Sequence, residues 1–234
     1  MDGAVMMLHG VSLSRALRGL VFFAGALLAV SSLTLAAEDH SGHAMPSAIK
    51  RAEVALVMPE LAVRRQDGKA QTLRQALDDG RPVMLNFIFT TCTAICPVTS
   101  QVFTEVREGL GPQRDAVHVV SVSIDPEFDT PARMSDYAKR FSPGGAWSFY
   151  TSNVKDSVAI QKAFNAYQGD KMNHLPITFL RAAPGAPWVR YDGFAAPSTL
   201  LAEVRKMLTA GSGKAAPNAS SRGTGVQRSA APRQ

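Results

Sequence analysis

The sequence predicts an α/β domain built on a central mixed β-sheet with helices on both faces. Two near-continuous apolar runs, residues 82–90 and 116–124, have the pattern of central strands that are covered on both sides. Between them, residues 97–110 place apolar side chains at helical spacing, with Pro97 suited to the first turn and Gly109 to the end of the helix. The later segments continue to alternate between strand and helix, which is typical of α/β domains.

The flanking elements complete the predicted order β–β–α–β–α–α–β–β–α. An early hairpin is expected around residues 66–68, because Asp-Gly favours a tight turn between strands. A helix opens at 129–131 and runs to about Arg140, with Asp129 or Thr130 as its N-terminal cap, and we favour a capping role for Asp129. Beyond it, the pattern predicts a helix over 155–167, strands over 176–180 and 188–191, and a closing helix over 197–208.

Composition and charge exclude several classes of protein. Of the 234 residues, 46% are hydrophobic and 19% are charged, which excludes a wholly disordered chain, a collagen-like repeat and a coiled coil. The net charge is +6, but +4 of it lies in residues 211–234 and +1 in residues 1–37, so residues 38–210 are nearly neutral. A basic groove for nucleic acid is therefore not expected. Two cysteines are too few for a disulfide scaffold or a four-cysteine zinc site.

Residues 1–37 have the pattern of an export signal. Arg15 and Arg18 precede the apolar run 20–30, and small residues up to Ala37 form a cleavage zone. The alternative is an uncleaved anchor, because this uncharged stretch is about long enough to span ~30 Å of hydrocarbon. In either case the remainder of the protein is expected on the outer side of the cytoplasmic membrane, in the periplasm.

Three further segments are predicted after the signal. Residues 38–53 are interpreted as a flexible linker, and residues 54–210 as the folded domain. Residues 211–234 are small, polar and basic, so they cannot bury enough apolar surface to offset the entropy of ordering. We expect them to form a disordered tail.

Both cysteines of the chain, Cys92 and Cys96, lie in the chemically informative segment. This segment follows the predicted strand 82–90 and leads into a helix, at the carboxyl edge where α/β sheets place ligands. Residues four apart lie on one helical face, so both sulfurs can point to one spot. The start of a helix stabilises thiolate, the form that attacks disulfides and binds soft metals. The alternative is a pair of buried cysteines or a plain stabilising disulfide.

Two sequence blocks resemble a known family. The first is Phe-Ile-Phe-Thr-Thr-Cys-x-x-x-Cys-Pro over residues 87–97, and the second is Val-Ser-Ile-Asp-Pro-Glu-Phe-Asp-Thr-Pro over residues 122–131. Together they resemble the Sco/SenC family of thioredoxin-fold copper proteins, and the likeness covers roughly residues 54–208. The resemblance implies a thioredoxin-like fold on the outer face of the membrane.

The resemblance also implies one copper ion per chain, Cu(I) or Cu(II), bound by Cys92, Cys96 and a later histidine. The family's role is delivery of copper to, or reduction of thiols at, the dinuclear copper site of cytochrome c oxidase. The implied partner is the copper-bearing oxidase subunit or another copper chaperone, with no nucleic acid and no membrane contact beyond a retained anchor. A monomeric metallochaperone is expected, and a thiol–disulfide reductase activity stays open.

The histidines differ in their suitability as the third ligand. His174 immediately precedes a predicted strand and matches the family's ligand position. His118 lies inside an apolar strand and is interpreted as a paired core histidine. His40, His43 and Met45 form either a loose auxiliary copper site or a chance cluster, and we favour chance.

Three positions bear on how closely this chain follows the family, and a fourth, Asp125, is of interest for its expected place near the cysteine loop. Asn173 stands where the family usually has an acid beside the ligand histidine, and an amide cannot carry that charge. Thr93 occupies a place often held by proline. Pro176 is similar to the proline of ordinary thioredoxin-like oxidoreductases, which favours thiol chemistry. Asp125 is a candidate for modulating the cysteine loop.

Two other functions stay open. In a periplasmic thiol–disulfide oxidoreductase, Cys92 attacks and Cys96 resolves the mixed disulfide, so the two form a redox-active pair that closes to a disulfide when oxidised. The spacing disfavours this function, because three intervening residues depart from the common redox Cys-x-x-Cys motif. A weaker alternative is a peroxidase that uses Cys92 as its peroxidatic thiolate.

Overall fold

The computed structural model describes residues 49–141 and 145–212, with only the backbone described for residues 211 and 212. These residues form an eight-stranded mixed sheet with helices on both faces, which confirms the predicted α/β class. The strands are β1 (Lys50–Val54), β2 (Ala62–Arg65), β3 (Ala70–Thr72), β4 (Val83–Ile88), β5 (His118–Ser123), β6 (Trp147–Thr151), β7 (Ile177–Arg181) and β8 (Trp188–Asp192). The helices are α1 (Leu73–Leu77), α2 (Ile95–Leu110), α3 (Pro131–Lys139), α4 (Val154–Ala163) and α5 (Pro197–Ser212), with short 3₁₀ helices at Gly111–Ala116 and Lys171–Asn173.

The strands lie across the sheet in the order β1-β8-β7-β4-β5-β6-β2-β3. β4, β5 and β6 are parallel, whereas β7 pairs antiparallel with the other side of β4. Every residue of β4 and β5 is buried, as their apolar runs predict. The register pairs Asn86 with Thr178, so the beginning of β7 lies beside the end of β4. The chain segment before β7 therefore meets the cysteine loop that follows β4.

Two hydrophobic layers cover the sheet. Side chains of α2, α3 and α5 pack on one face, and those of α1 and α4 pack on the other. β4 serves both layers, because successive strand side chains point to opposite faces. Met84 and Ile88 belong to the first layer, and Leu85 and Phe87 belong to the second. This double coverage explains why β4 lacks the polar alternation of a half-exposed strand.

The predicted hairpin is formed by β2 and β3. The two strands pair antiparallel, with Ala62 opposite Thr72. The turn between them contains Gly68 at φ +89°, a left-handed conformation that glycine adopts without a steric penalty.

Three elements are missing from the sequence-based prediction. β1 overlaps residues 50–53 of the expected flexible linker 38–53, which corrects that boundary: the segment pairs antiparallel with β8 at the sheet edge. Its alternation is weak because an edge strand keeps polar side chains in water. α1 has five residues, too few to show helical periodicity. β6 lies between β5 and β2, and its side chains are buried in both hydrophobic layers, an arrangement that its local sequence does not reveal.

Several predictions fall on the chain ends. The export signal over 1–37, the cluster of His40, His43 and Met45, and residues 213–234 of the tail lie outside the described residues. Among the residues that are described, no helix combines the length and the apolar character needed to cross a membrane.

His118 is a paired core histidine, as predicted. It is 4% exposed, and its Nε2 lies 3.1 Å from Ser148 Oγ. Its Nδ1 lies 3.1 Å from a carboxylate oxygen of Asp79, although without hydrogen-bond geometry. Burial lowers the pKa of His118 from 6.5 to about 4, and the attraction of Asp79 offsets only part of that effect. The folded protein therefore holds this imidazole neutral at neutral pH.

We expect His118 to make the free energy of unfolding depend on pH. Unfolded His118 takes up a proton as the pH falls below about 6.5, whereas the folded side chain resists protonation until about pH 4, so stability is lost across that window. The loss is about 3 kcal/mol. Urea unfolding at several pH values measures it, and His118→Gln should show a shallower decline than the unsubstituted protein. Equal slopes for the two proteins would contradict the assignment.

Candidate metal centre

Both cysteines lie where β4 passes into α2, as predicted. The loop between Ile88 and Ile95 carries Cys92, and Cys96 is the second residue of the helix. The backbone N–H of Cys96 donates to Cys92 Sγ at 3.3 Å, so the first sulfur lies against the start of the helix. Both thiols are free rather than joined in a disulfide.

The two thiols have opposite environments. Burial raises the pKa of Cys92, but the Cys96 amide and thiol and neighbouring loop N–H groups outweigh burial, so this pKa is lowered overall. Cys96 is 0% exposed, and burial raises its pKa strongly. Cys92 is only partly buried. Cys92 is therefore the more accessible and the more acidic thiol, and Cys96 is the buried and less acidic one.

His174 reaches the same site from the chain segment that precedes β7, the neighbour of β4. It follows the 3₁₀ helix Lys171–Asn173 and is 6% exposed. Its Nε2 lies 2.9 Å from the carbonyl oxygen of Phe87, the fifth residue of β4. A carbonyl can only accept, so Nε2 carries the proton and Nδ1 keeps its lone pair. Burial lowers the pKa of His174, which keeps the ring neutral. A neutral, oriented imidazole is the form that binds a metal ion.

A cavity of about 170 Å³ joins Cys92 to His174. Its full lining is Phe89, Thr91, Cys92, Thr93, Ala94, Ile95, Lys171, Met172 and His174. Cys96 does not line it, and within 49–141 and 145–212 no three His, Cys, Asp or Glu side chains lie close enough together to hold a metal ion. Two of the three predicted ligands, Cys92 and His174, thus share one cavity. The third, Cys96, is buried next to Cys92 and outside the cavity. A thiolate and an imidazole nitrogen suit copper, so the donors present fit that metal.

Lys171 and Met172 line the cavity but were not among the predicted site residues. Lys171 Nζ lies 2.6 Å from Asp125 Oδ2, and this hydrogen bond raises the pKa of Lys171. Asp125 therefore acts on the cavity through Lys171 and not by direct contact with the cysteines. The sequence offers one indication of their place in the site: both residues come directly before Asn173 and His174 in the chain.

Asn173 and Thr93 lie at the margin of the site. Asn173 is exposed, and its side chain makes no hydrogen bond to any described residue. Its backbone N–H donates to the carbonyl of Asp170. Thr93 is exposed on the cavity wall. Pro176 accepts a backbone hydrogen bond from Gly193 at the edge of the sheet.

Asp129 is not the cap of α3, which corrects the sequence-based interpretation. Thr130 is the cap, and its hydroxyl accepts from the N–H of Arg133. The Asp129 carboxylate is 0% exposed and accepts from the N–H and hydroxyl of Thr90 and from the hydroxyl of Ser123. It ties the start of the cysteine loop to the end of β5. Burial raises its pKa despite these hydrogen bonds.

We expect alkylation to distinguish the two thiols. Cys92 should react with iodoacetamide at least about tenfold faster than Cys96, because it is the more accessible and the more acidic. Peptide mass spectrometry of the reduced protein over a time course measures both rates. In urea the difference should vanish, which is the control. Equal rates in the folded protein would contradict the asymmetry.

Asp129→Ala should destabilise the protein by about 2–4 kcal/mol, because it leaves buried donors of the cysteine loop unpaired. The matched control is Thr130→Ala, which removes only a helix cap and should cost about 1 kcal/mol. Urea unfolding at pH 7 measures both. If the two variants lose the same stability, Asp129 does no more than a cap would.

Comparison of sequences identifies related proteins. The SCO1/SenC family model matches residues 53–209. A SCO1 protein homolog of Bacillus subtilis is 32% identical over 96 residues, which is 41% of this chain and 49% of that protein. A SCO2-like protein of Rickettsia conorii is 36% identical over 64 residues, which is 27% of this chain and 31% of that protein. The chain thus matches half or less of the length of these relatives.

Solved structures share the fold. ScoI of Bradyrhizobium japonicum with copper bound has a TM-score of 0.56 at 23% identity, over 64% of this chain and 99% of that one. Yeast Sco1 with copper bound has a TM-score of 0.56 at 17% identity, over 66% of this chain and 90% of that one. The domain has the thioredoxin-like fold of these proteins. Because the family model spans most of the chain, including both cysteines and His174, this protein belongs to the SCO1/SenC family.

Proposed function

We propose that this protein is a copper-binding assembly factor for cytochrome c oxidase. It binds one copper ion as a monomer through Cys92, Cys96 and His174, and passes it to the copper-bearing oxidase subunit or to another chaperone. The pattern of residues 1–37 supports action in the periplasm. Family membership supports the copper chemistry, and solved Sco proteins carry copper.

The observation that carries the proposal is the pairing of Cys92 and His174 across one cavity. The Phe87 carbonyl holds the His174 ring so that Nδ1 is left as the free donor. The helix start favours Cys92 thiolate without a neighbouring base. A soft sulfur and a borderline nitrogen are then both ready for Cu(I) or Cu(II) before the metal arrives.

Cys96 supplies the third ligand in this proposal. It lies four residues from Cys92, and its amide already contacts the Cys92 sulfur. A small rotation of the Cys96 side chain, with loss of its proton, brings a second thiolate toward the ion. Three ligands leave a position for a partner's donor, so copper can leave by ligand exchange.

A copper titration with matched variants tests the proposal. The reduced protein, under anaerobic conditions, should bind about one Cu(I) per chain. His174→Ala and Cys92→Ser should each weaken binding by about 100-fold or more, because each removes one of three ligands. His118→Gln is the control, since it alters a buried histidine outside the cavity. Copper affinity unchanged by His174→Ala would refute the ligand assignment.

The second candidate function is that of a thiol–disulfide oxidoreductase. It is supported by the difference between the accessible, more acidic Cys92 and the buried, less acidic Cys96, which suits an attacking and a resolving cysteine. The Cys92 thiolate attacks a substrate disulfide and releases one substrate thiolate. Cys96 then loses its proton and attacks the Cys92 sulfur, which releases the second thiolate and leaves a Cys92–Cys96 disulfide. The substrate is reduced by the two electrons that the pair gives up.

A thiol-exchange assay separates the two functions. In the oxidoreductase, Cys92 should react with a model disulfide faster than a simple dithiol does, and His174→Ala should leave that rate unchanged. In the copper protein, the same substitution abolishes tight copper binding. Exchange no faster than that of dithiothreitol would eliminate the oxidoreductase.

A further inference from the structure

The cavity between Cys92 and His174 contains a third metal-binding donor type that the proposed ligand set does not use. Met172 lines the cavity, and this residue is 73% exposed. Methionine is usually buried in protein cores, so an exposed thioether beside a thiolate and an imidazole is unusual. Its neighbour Leu175 is also exposed, at 48%, but does not line the cavity.

The backbone of Met172 is held while its side chain stays free. Its N–H donates to the Asp170 carboxylate at 2.9 Å, and the N–H of His174 donates to the Lys171 carbonyl at 3.1 Å. The ion pair between Lys171 and Asp125 also connects this turn to the end of β5. These contacts hold the backbone of the turn that carries Met172 and His174, whereas the methionine side chain has flexible torsions through which its sulfur can move.

The accessible donors differ from the final ligand set. Cys96 is 0% exposed and does not line the cavity, so an arriving ion cannot contact its sulfur first. Cys92, His174 and Met172 all line the cavity. A thioether is neutral, needs no deprotonation and binds Cu(I) as a soft ligand. These three donors suit a monovalent copper ion at the moment of arrival.

We propose that the Met172 thioether is an accessory ligand that receives Cu(I) together with Cys92 and His174 before Cys96 completes the site. This inference rests on the proposed copper-binding function. In the second step the bond from copper to Met172 Sδ breaks as the bond to Cys96 Sγ forms, and the Cys96 proton passes to solvent. Copper remains Cu(I) throughout, and no electron is transferred.

Transfer kinetics test the order of the two steps. The full-length reduced protein is mixed with the Cu(I)–bicinchoninate complex, and loss of the chelate colour is followed by stopped flow. Met172→Leu keeps the size of the side chain and removes its donor. It should slow uptake by about tenfold while the final stoichiometry stays at one. Leu175→Ala is the matched control on the neighbouring exposed surface and should not change the rate.

A background without Cys96 isolates the accessory site. In Cys96→Ser, Cu(I) should be held by the accessible donors alone, so adding Met172→Leu should weaken affinity by at least about tenfold. In methionine labelled with ¹³C at the methyl group, the Met172 signal should shift on Cu(I) addition, whereas the buried Met58 and Met207 signals stay in place. The signal of Met172 is assigned by its absence in Met172→Leu.

The outcomes separate this inference from the proposed function. An unchanged uptake rate in Met172→Leu, with no shift of the Met172 methyl signal, overturns the accessory ligand even if Cys92→Ser and His174→Ala abolish copper binding. Full binding in those two variants refutes the proposed function itself. Slower uptake in Met172→Leu with a shifted methyl signal supports the accessory ligand.

Discussion

The antiparallel pairing of β7 with β4 is the constraint on which the site depends. The register that sets Asn86 opposite Thr178 brings the start of β7 to the end of β4. His174 then lies close enough to donate from Nε2 to the carbonyl of Phe87, 87 positions earlier in the chain. One strand therefore does two things: it leads into the cysteine loop, and it orients the imidazole. If this pairing slipped by one residue, every side chain of β7 would turn to the opposite face.

The second constraint is the unequal burial of the two sulfurs. Cys92 lies on a loop against free helical N–H groups, whereas Cys96 has entered the helix and packs in the core. The asymmetry suits both chemistries that the site supports. In both proposed functions, an arriving ion or disulfide would meet the more accessible and more acidic Cys92 first, and Cys96 would act only after a local movement. Proposed copper transfer and proposed thiol exchange would therefore share their first step at Cys92.

Polar contacts at the end of β5 hold both walls of the cavity in this arrangement. Asp129 accepts hydrogen bonds from Thr90 and Ser123, which joins the loop to β5, and the ion pair between Lys171 and Asp125 joins the histidine turn to the same strand end. Removing the buried Asp129 carboxylate would leave the buried Ser123 hydroxyl unpaired, which costs more than the hydrogen bond itself contributed. Both walls of the cavity are therefore tied to the sheet, and Met172 is among the exposed residues that line it.

Local pattern alone determined the α/β class, the central strands β4 and β5, the position of both cysteines at a strand-to-helix junction and the core role of His118. Resemblance to a family singled out His174. The tertiary structure decided the roles that depend on distant partners: β1 forms on the edge of β8, Asp129 anchors a loop instead of capping a helix, and Lys171 and Met172 line the cavity. The physical reason is the distance along the chain over which a pattern is informative: hydrophobic periodicity and capping motifs depend on residues only a few positions apart. Contacts across tens of residues follow from strand register and burial, which exist only in the folded chain.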